Sequence, residues 1–471
     1  MAQRSRLSVL PPPTAPARES SRHLMLRAFA VLVLFAVLGH TAVYNLLGEL
    51  GAVIVMVVLV LGCLAVLIPA IVRQHPVRFP WRRLPWAAIG YLALALLSVL
   101  WSRWPEATLL TWTLQAGITV AAITVATLLS WQEIARAISS ALKWILGLSF
   151  VLEIWVAITG APLLPNFADF PEGKIDPHWY WVRGNIFDGG RIQGIVGNSN
   201  SLAILCVLAL IVFSVLVAAR ARRRGVLFVW IALALVMLVR ASSATAYACT
   251  AAGVAVLATV LLMRRTSRPG QRTPLYLVYL GVAAAGAIAL WLWRDELFGL
   301  LGRGSDLTGR VEIWEKVRER AAESPVIGNG FSSPWIPWDP AFHNWIVDHG
   351  ITVFHAHDMW LDVLMQLGVV GIVIMAIVFV ALAWRAWFFA VDRPRWDLEE
   401  RRPYSAIALL PTLVVAMLLV QGIVESGPIM LWGWMLVVLF SFKIKMVPLV
   451  GRGLSERDRM LETGAPTRQR P

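Results

Sequence analysis

The sequence predicts an all-α polytopic membrane protein of about 12 transmembrane helices, with two long external loops. Three observations carry this. The 471-residue chain is 58% hydrophobic and only 15% charged, with a mean hydropathy of +0.69, whereas globular domains carry about 25% charged residues. Apolar runs recur at the length of about 20 residues that a helix needs to cross a hydrocarbon core. Lys and Arg collect in alternate connections between those runs, as the positive-inside rule requires of a chain threaded through a bilayer.

In order, residues 1–27 contain "LPPPTAPARESSRH" and five arginines, and read as a disordered basic cytoplasmic tail. No small-residue cleavage site ends the first apolar run, which argues against a signal peptide. Apolar runs follow near 28–46, 50–72, 84–101, 109–129, 144–160, 200–219, 225–240, 243–263, 275–293, 358–386, 404–424 and 429–447. Residues 28–447 are thus one transmembrane domain, and 448–471 a second cytoplasmic tail.

With the N-terminus inside, "RQHPVRFPWRR", "ARARRRG", "RRTSRPGQRTP" and the final "KIKMVPLVGRGLSERDR" all fall inside. The short connections "LGEL" and "SRWPEAT" fall outside and hold little positive charge. The net charge of +14 is therefore a topology signal, which excludes a nucleic-acid role. Cys63, Cys206 and Cys249 each sit inside an apolar run and match no disulfide or zinc spacing.

Two long connections are external, near 161–199 and 294–357. They hold five of the eight histidines: His178, His343, His349, His355 and His357. "VFHAHDMWLDVLMQLGVVG" places His355 and His357 where a helix re-enters the membrane, with Asp358 as its N-cap. His357 is a candidate general base there, against the plainer reading of a histidine with its ring buried at the interface. A metal site would need more ligands than this stretch supplies, and no metal is expected.

Within the second loop, "LTGRVEIWEKVRERAAE" is amphipathic, with Ile313, Trp314, Val317 and Ala321 on one face. Such a helix is expected to lie on the membrane surface. Arg310 shares the apolar face, either snorkelling or aimed at an anion, for which its planar fork suits phosphate. Arg191, in "RIQGIVGNSNSLA", is a second candidate anion contact, and Asn198 and Asn200 are candidate caps of the helix that follows. Arg240 opens "RASSATAYA", where Ser242, Ser243 and Thr245 read as a cap or as small packing residues. Glu425, in "GIVESGPIM", sits in an outer turn, either solvated or paired with an external arginine. Trp179, Tyr180, Trp181, Trp335, Trp338 and Trp345 suit sugar stacking as well as the membrane interface.

The order of these motifs resembles the O-antigen ligase and polymerase superfamily. "LTGRVEIWEKV", then the Pro–x–x–Gly–x–Gly turn of "SPVIGNGF", then "HAHDMWLDVLMQLGVVG" are similar to its polymerase-like members. "RIQGIVGNSNSLA" and "ASSATAYA" resemble its upstream segments, the latter as in exopolysaccharide polymerases. Asp358 stands where the family commonly has Asn, and Ser243–Ala244 where ligase-like members often have Ser–Arg, which favours a polymerase.

The resemblance implies a GT-C-like inverting glycosyltransferase in the bacterial plasma membrane, with its site on the external face and both termini cytoplasmic. It implies a glycan donor on undecaprenyl pyrophosphate, a glycan or lipid-linked acceptor and no cofactor. A flippase and a chain-length regulator would be pathway partners. It casts His357, Arg310 and Arg191 as catalytic, and Arg240, His355 and Glu425 as substrate-binding. The alternatives are a ligase moving the glycan to lipid A–core, protein or wall, a twelve-span transporter, and a non-catalytic assembly subunit. Glu153 and Gln366 are the main polar residues inside runs that a transporter reading could use.

Overall fold

Helices dominate the computed structural model, which describes residues 21–72, 79–166, 175–266, 269–293, 310–348, 350–392 and 404–446. They are α1 (Ser21–Leu38), α2 (His40–Val72), α3 (Trp86–Leu97), α4 (Pro105–Leu128), α5 (Trp131–Thr159), α6 (Ser199–Ala218), α7 (Arg224–Ala241), α8 (Ala244–Arg265), α9 (Thr273–Leu292), α10 (Arg310–Ala322), α11 (Met359–Val391), α12 (Leu409–Val424) and α13 (Leu431–Met446). A two-stranded antiparallel hairpin, β1 (Val347–Asp348) and β2 (Ile351–Thr352), pairs Val347 with Thr352.

A helix occupies each apolar run read from the sequence. Among the described residues, eight helices have the length and apolarity to cross a membrane, and α3 (with the 3-10 turn after it) and α12 are shorter apolar helices. Several boundaries differ from expectation, most of all that of α5, which starts at Trp131 rather than near 144. α1 starts at Ser21, so residues 21–27 are helical rather than part of the tail. α2 starts at His40 and breaks at Gly48, whose φ of 72° is open to glycine without strain. The remainder of the N-terminal tail, the C-terminal tail after 446 and His349 lie outside the described residues.

Local chemistry explains several helix starts. Pro105 occupies the first turn of α4, where its missing N–H costs nothing. Ser130 and Glu133 form a reciprocal capping box at α5. Asn198 caps α6 by accepting from Asn200 N at 2.9 Å and Ser201 N at 3.0 Å. Ser243 caps α8, and Asp358 caps α11.

α13 is the axis of the bundle: every residue from Leu431 to Ile444 is buried. α4 packs along it, α11 and α12 pair beside it, and α6–α7 and α1–α5 form outer pairs. Lys443 reaches from α13 to Ala126 O (3.0 Å) and Leu129 O (2.6 Å), closing carbonyls left open at the end of α4. The three cysteines are buried and unbridged.

α11 breaks at Gly368, with φ 62°. The "PVIGNG" segment runs along the break: Val369 N and Val370 N donate to Pro325 O and Val326 O, and Asn329 N and Gly330 N donate to Met365 O and Gln366 O. The backbone groups freed by the break are thus satisfied inside the protein, as a membrane span demands. This turn, generic in sequence, is a structural splint. A Cβ on Gly328 would lie 2.3 Å from the Gln366 backbone, and one on Gly368 would lie 2.3 Å from that of Val326.

α10 does not lie on a membrane surface as expected. Its apolar face, Ile313, Val317 and Ala321, is buried in a second core with Trp104, Trp335, Phe342, Ile346 and Met365. The loop that carries α10 has a core of its own, and that core takes the face a lipid surface would otherwise have covered.

Candidate functional site

The backbone of "VFHAHD" approaches α11 in an irregular, non-helical stretch. Ala356 points inward and is fully buried, and its carbonyl accepts from Trp314 Nε1 of α10 at 3.0 Å. His355 and His357 emerge together, with ring centroids 4.0 Å apart. His357 has φ 52°, a left-handed conformation uncommon for a residue with a side chain. Local strain of this kind concentrates at functional positions.

Glu425 meets this pair from the turn between α12 and α13. Its Oε2 lies 2.9 Å from His357 Nδ1, and its Oε1 accepts from Arg310 Nη2 at 2.6 Å. Arg310 also donates through Nη1 to Val424 O at 2.7 Å, so its guanidinium is anchored to the end of α12. Both partners of that ion pair are about one-tenth exposed. Burial alone would raise the Glu425 carboxyl, but His357 and Arg310 outweigh it and hold the group at about 2. Burial, with His357 next, holds His355 well below its ordinary 6.5.

These contacts assign the ring protons. An ionised Glu425 only accepts, so neutral His357 carries its proton on Nδ1 and a lone pair on Nε2. His355 Nδ1 accepts from His357 N at 3.1 Å, so neutral His355 carries its proton on Nε2. The pair therefore offers a proton acceptor and a hydrogen-bond donor side by side.

His355, His357 and Glu425 each offer an atom within 4.8 Å of the others, a geometry open to a metal ion. Both Glu425 oxygens are already engaged, however, and Arg310 supplies a positive charge where a cation would sit. The arrangement suits proton transfer better than metal ligation.

Arg191 and Arg240 form a second group. Arg191 Nε donates to Ala241 O at 2.9 Å and Nη2 to Asn200 Oδ1 at 2.6 Å, so Asn200 holds an arginine rather than capping α6. Arg240 Nη2 donates to Asn185 O at 2.7 Å. This group and the histidines lie at one end of the bundle. α8 packs on α12, with Cys249 Sγ 3.5 Å from Met417 O and Arg264 at the far end of α8 bonded to Ser405 O, just before α12. The two helices are antiparallel, so the start of α8 is level with Glu425.

Glu153 accepts from Gln193 N and Gly194 N, both at 2.7 Å, and Ser149 from Ile195 N at 3.1 Å. Gln366 Oε1 accepts from Ser332 N at 3.2 Å. The polar residues inside the spans thus hold the backbone of the two long loops. Of the aromatic residues, Trp345 stacks on the Arg320 guanidinium, 3.3 Å from its centroid, and burial pushes Arg320 down to about 10. Trp335 is buried, and Trp338 is half exposed, donating to Glu49 Oε1 at 2.9 Å.

Residues 227–376 match the family described as O-Antigen ligase. The chain is also similar to the "Exopolysaccharide production protein ExoQ" of Rhizobium meliloti (strain 1021), at 30% identity over 201 residues. That similarity covers 41% of this chain and 43% of the relative, so the chain spans less than half of the curated protein's length. The matched region includes Arg240, Arg310, His355 and His357, and ends before Glu425. The carboxylate that completes the site therefore comes from the last helix pair, outside the matched region.

Proposed function

We propose that this protein is a polymerase that joins oligosaccharide repeats carried on undecaprenyl pyrophosphate into a cell-surface polysaccharide, on the outer face of the bacterial plasma membrane. The observation that carries this is the His357–Glu425 pair, 2.9 Å apart and anchored by Arg310, within a multi-pass helical bundle related to O-antigen ligases. An acceptor hydroxyl attacks the anomeric carbon of the donor sugar. The bond from that carbon to the phosphate oxygen breaks, and its electron pair leaves with the lipid pyrophosphate. Attack from the opposite face inverts the configuration. The hydroxyl proton passes to His357 Nε2, and Glu425 stabilises the imidazolium that forms.

Arg310 is the positioning residue for Glu425 in this reading, because it ties that carboxylate to the carbonyl at the end of α12. Arg191, with Arg240 beside it, faces the developing charge on the pyrophosphate. His355 Nε2–H is a donor to substrate. The family's description favours a ligase as the second reading, with the same chemistry and a different acceptor.

The test is the glycan profile of a deletion strain complemented with wild type or His357→Ala. Single lipid-linked repeats on deletion, restored to long chains by wild type alone, support a polymerase. Long chains that accumulate on lipid carrier and never reach a final acceptor support the ligase. Full restoration by His357→Ala, at wild-type protein level, overturns the catalytic reading.

A further inference from the structure

Beneath the histidines lies a carboxylate that the proton transfer does not use. Asp362 is in the first turn of α11 and is 1% exposed. Its Oδ2 accepts from Ala356 N at 3.1 Å and also from Ser426 Oγ. Its Oδ1 lies 3.4 Å from Gln366 Nε2. Ala356 is the residue between the two histidines, and Ser426 follows Glu425 in the chain. Ala356, Ser426 and Gln366 are all fully buried.

We propose that Asp362 is a positioning residue, a clamp that holds the His357 segment and the Glu425 turn in register by binding one group from each on a single oxygen. This rests on the polymerase reading above and deepens it. The two segments are 68 residues apart in the chain, and the His357–Glu425 bond is on their outer side. Without an inner tie, that bond alone would have to hold its own geometry while its proton inventory changes through each turnover. Ala356 is held from both directions, since its carbonyl accepts from Trp314 and its N–H donates to Asp362. That leaves His357 little freedom except about its side-chain torsions, which Glu425 fixes. A shift of about 1 Å between catalytic groups costs up to about 100-fold in rate. The clamp works through backbone N–H and a serine hydroxyl and needs no contact with substrate.

The experiment uses the full chain, purified from membranes in detergent, with lipid-linked oligosaccharide extracted from the deletion strain as the probe. The variants are Ser426→Ala, Asp362→Asn, Asp362→Leu and, as the control on the reading itself, His357→Ala. Ser426→Ala removes one arm of the clamp and only one oxygen of volume. It is expected to lower kcat about tenfold with KM unchanged, and to displace the pH–rate profile, at an unchanged melting temperature. Asp362→Asn keeps an oxygen able to accept both bonds and is expected to retain most activity, whereas Asp362→Leu loses it. A Ser426→Ala enzyme with wild-type kcat and pH profile, while His357→Ala is inactive, overturns the clamp and leaves the polymerase reading standing. Activity in His357→Ala overturns the reading on which the clamp depends. If Asp362→Asn is as inactive as Asp362→Leu while remaining folded, acceptance of the two bonds is not what the residue does, and the clamp is likewise overturned.

Discussion

Glu425 has two oxygens and each has its own hydrogen-bond donor, so its contribution can be separated by substitution. Glu425→Gln can keep the Arg310 bond through its amide oxygen but then presents an NH2 to His357 Nδ1. The imidazole would have to place its proton on Nε2, where the acceptor's proton must go. We expect glycosyl transfer to fall about 100- to 10,000-fold, with folding intact, read as chain elongation by purified enzyme. A Gln variant within a few-fold of wild type would remove Glu425 from the chemistry. His355 gives a pH prediction. Its folded-state pKa is depressed below 6.5, so the unfolded chain binds its proton more readily, and the stability it confers is full above pH 6.5 and lost as pH falls below it. Glu425, depressed from 4.5 to about 2, acts in the same direction in a lower window, below pH 4.5. Between pH 7.5 and 5.5 the wild-type melting temperature should therefore drop more than that of His355→Gln, which keeps an acceptor for His357 N and does not titrate. Equal drops would assign the effect to other groups.

Elements position these residues through backbone contact. The splint formed by 325–330 against the break in α11 leaves no room for a methyl group, since the nearest atoms are backbone that cannot rotate away. Gly328→Ala and Gly368→Ala each add that clash to a positive φ. Each is expected to destabilise the fold by about 3 kcal/mol or more and to lower the yield of monodisperse protein in detergent chromatography. Gly90→Ala, where a Cβ meets nothing within 4 Å, is the matched control and should be neutral. The glycines were visible in the sequence as a turn, but their partner was not, because "SPVIGNGF" carries no mark of the span it lies against. α10 was misplaced for a related reason. Amphipathicity says that one face is covered, and not whether lipid or protein covers it.

For the molecule as a whole, the charge pattern predicts which end of the bundle holds the site. The native cysteines are buried, so an impermeant maleimide should leave wild type unlabelled. In spheroplasts, Val347→Cys in the exposed hairpin should label at once, and Arg222→Cys between α6 and α7 only after permeabilisation. The opposite pattern would invert the topology and place the histidines in the cytoplasm, where the proposed substrate is not.

Class and most helix positions were legible from the chain alone, and so was the placing of His355 and His357 just before α11. Hydrophobic length and Lys/Arg placement are properties of consecutive residues, and a bilayer acts on them segment by segment. The identity of the partners was not legible. Glu425 lies 68 residues from His357 and 115 from Arg310, and in the sequence it was one carboxylate in an outer turn with a choice of external arginines. Asp362 is one acid in an apolar run, and nothing in the sequence marks Ser426 as its partner. What joined them was the packing of α11, α12 and α10 around α13. A buried charge must find its counter-charge in three dimensions, and only the tertiary structure determines which one is within reach.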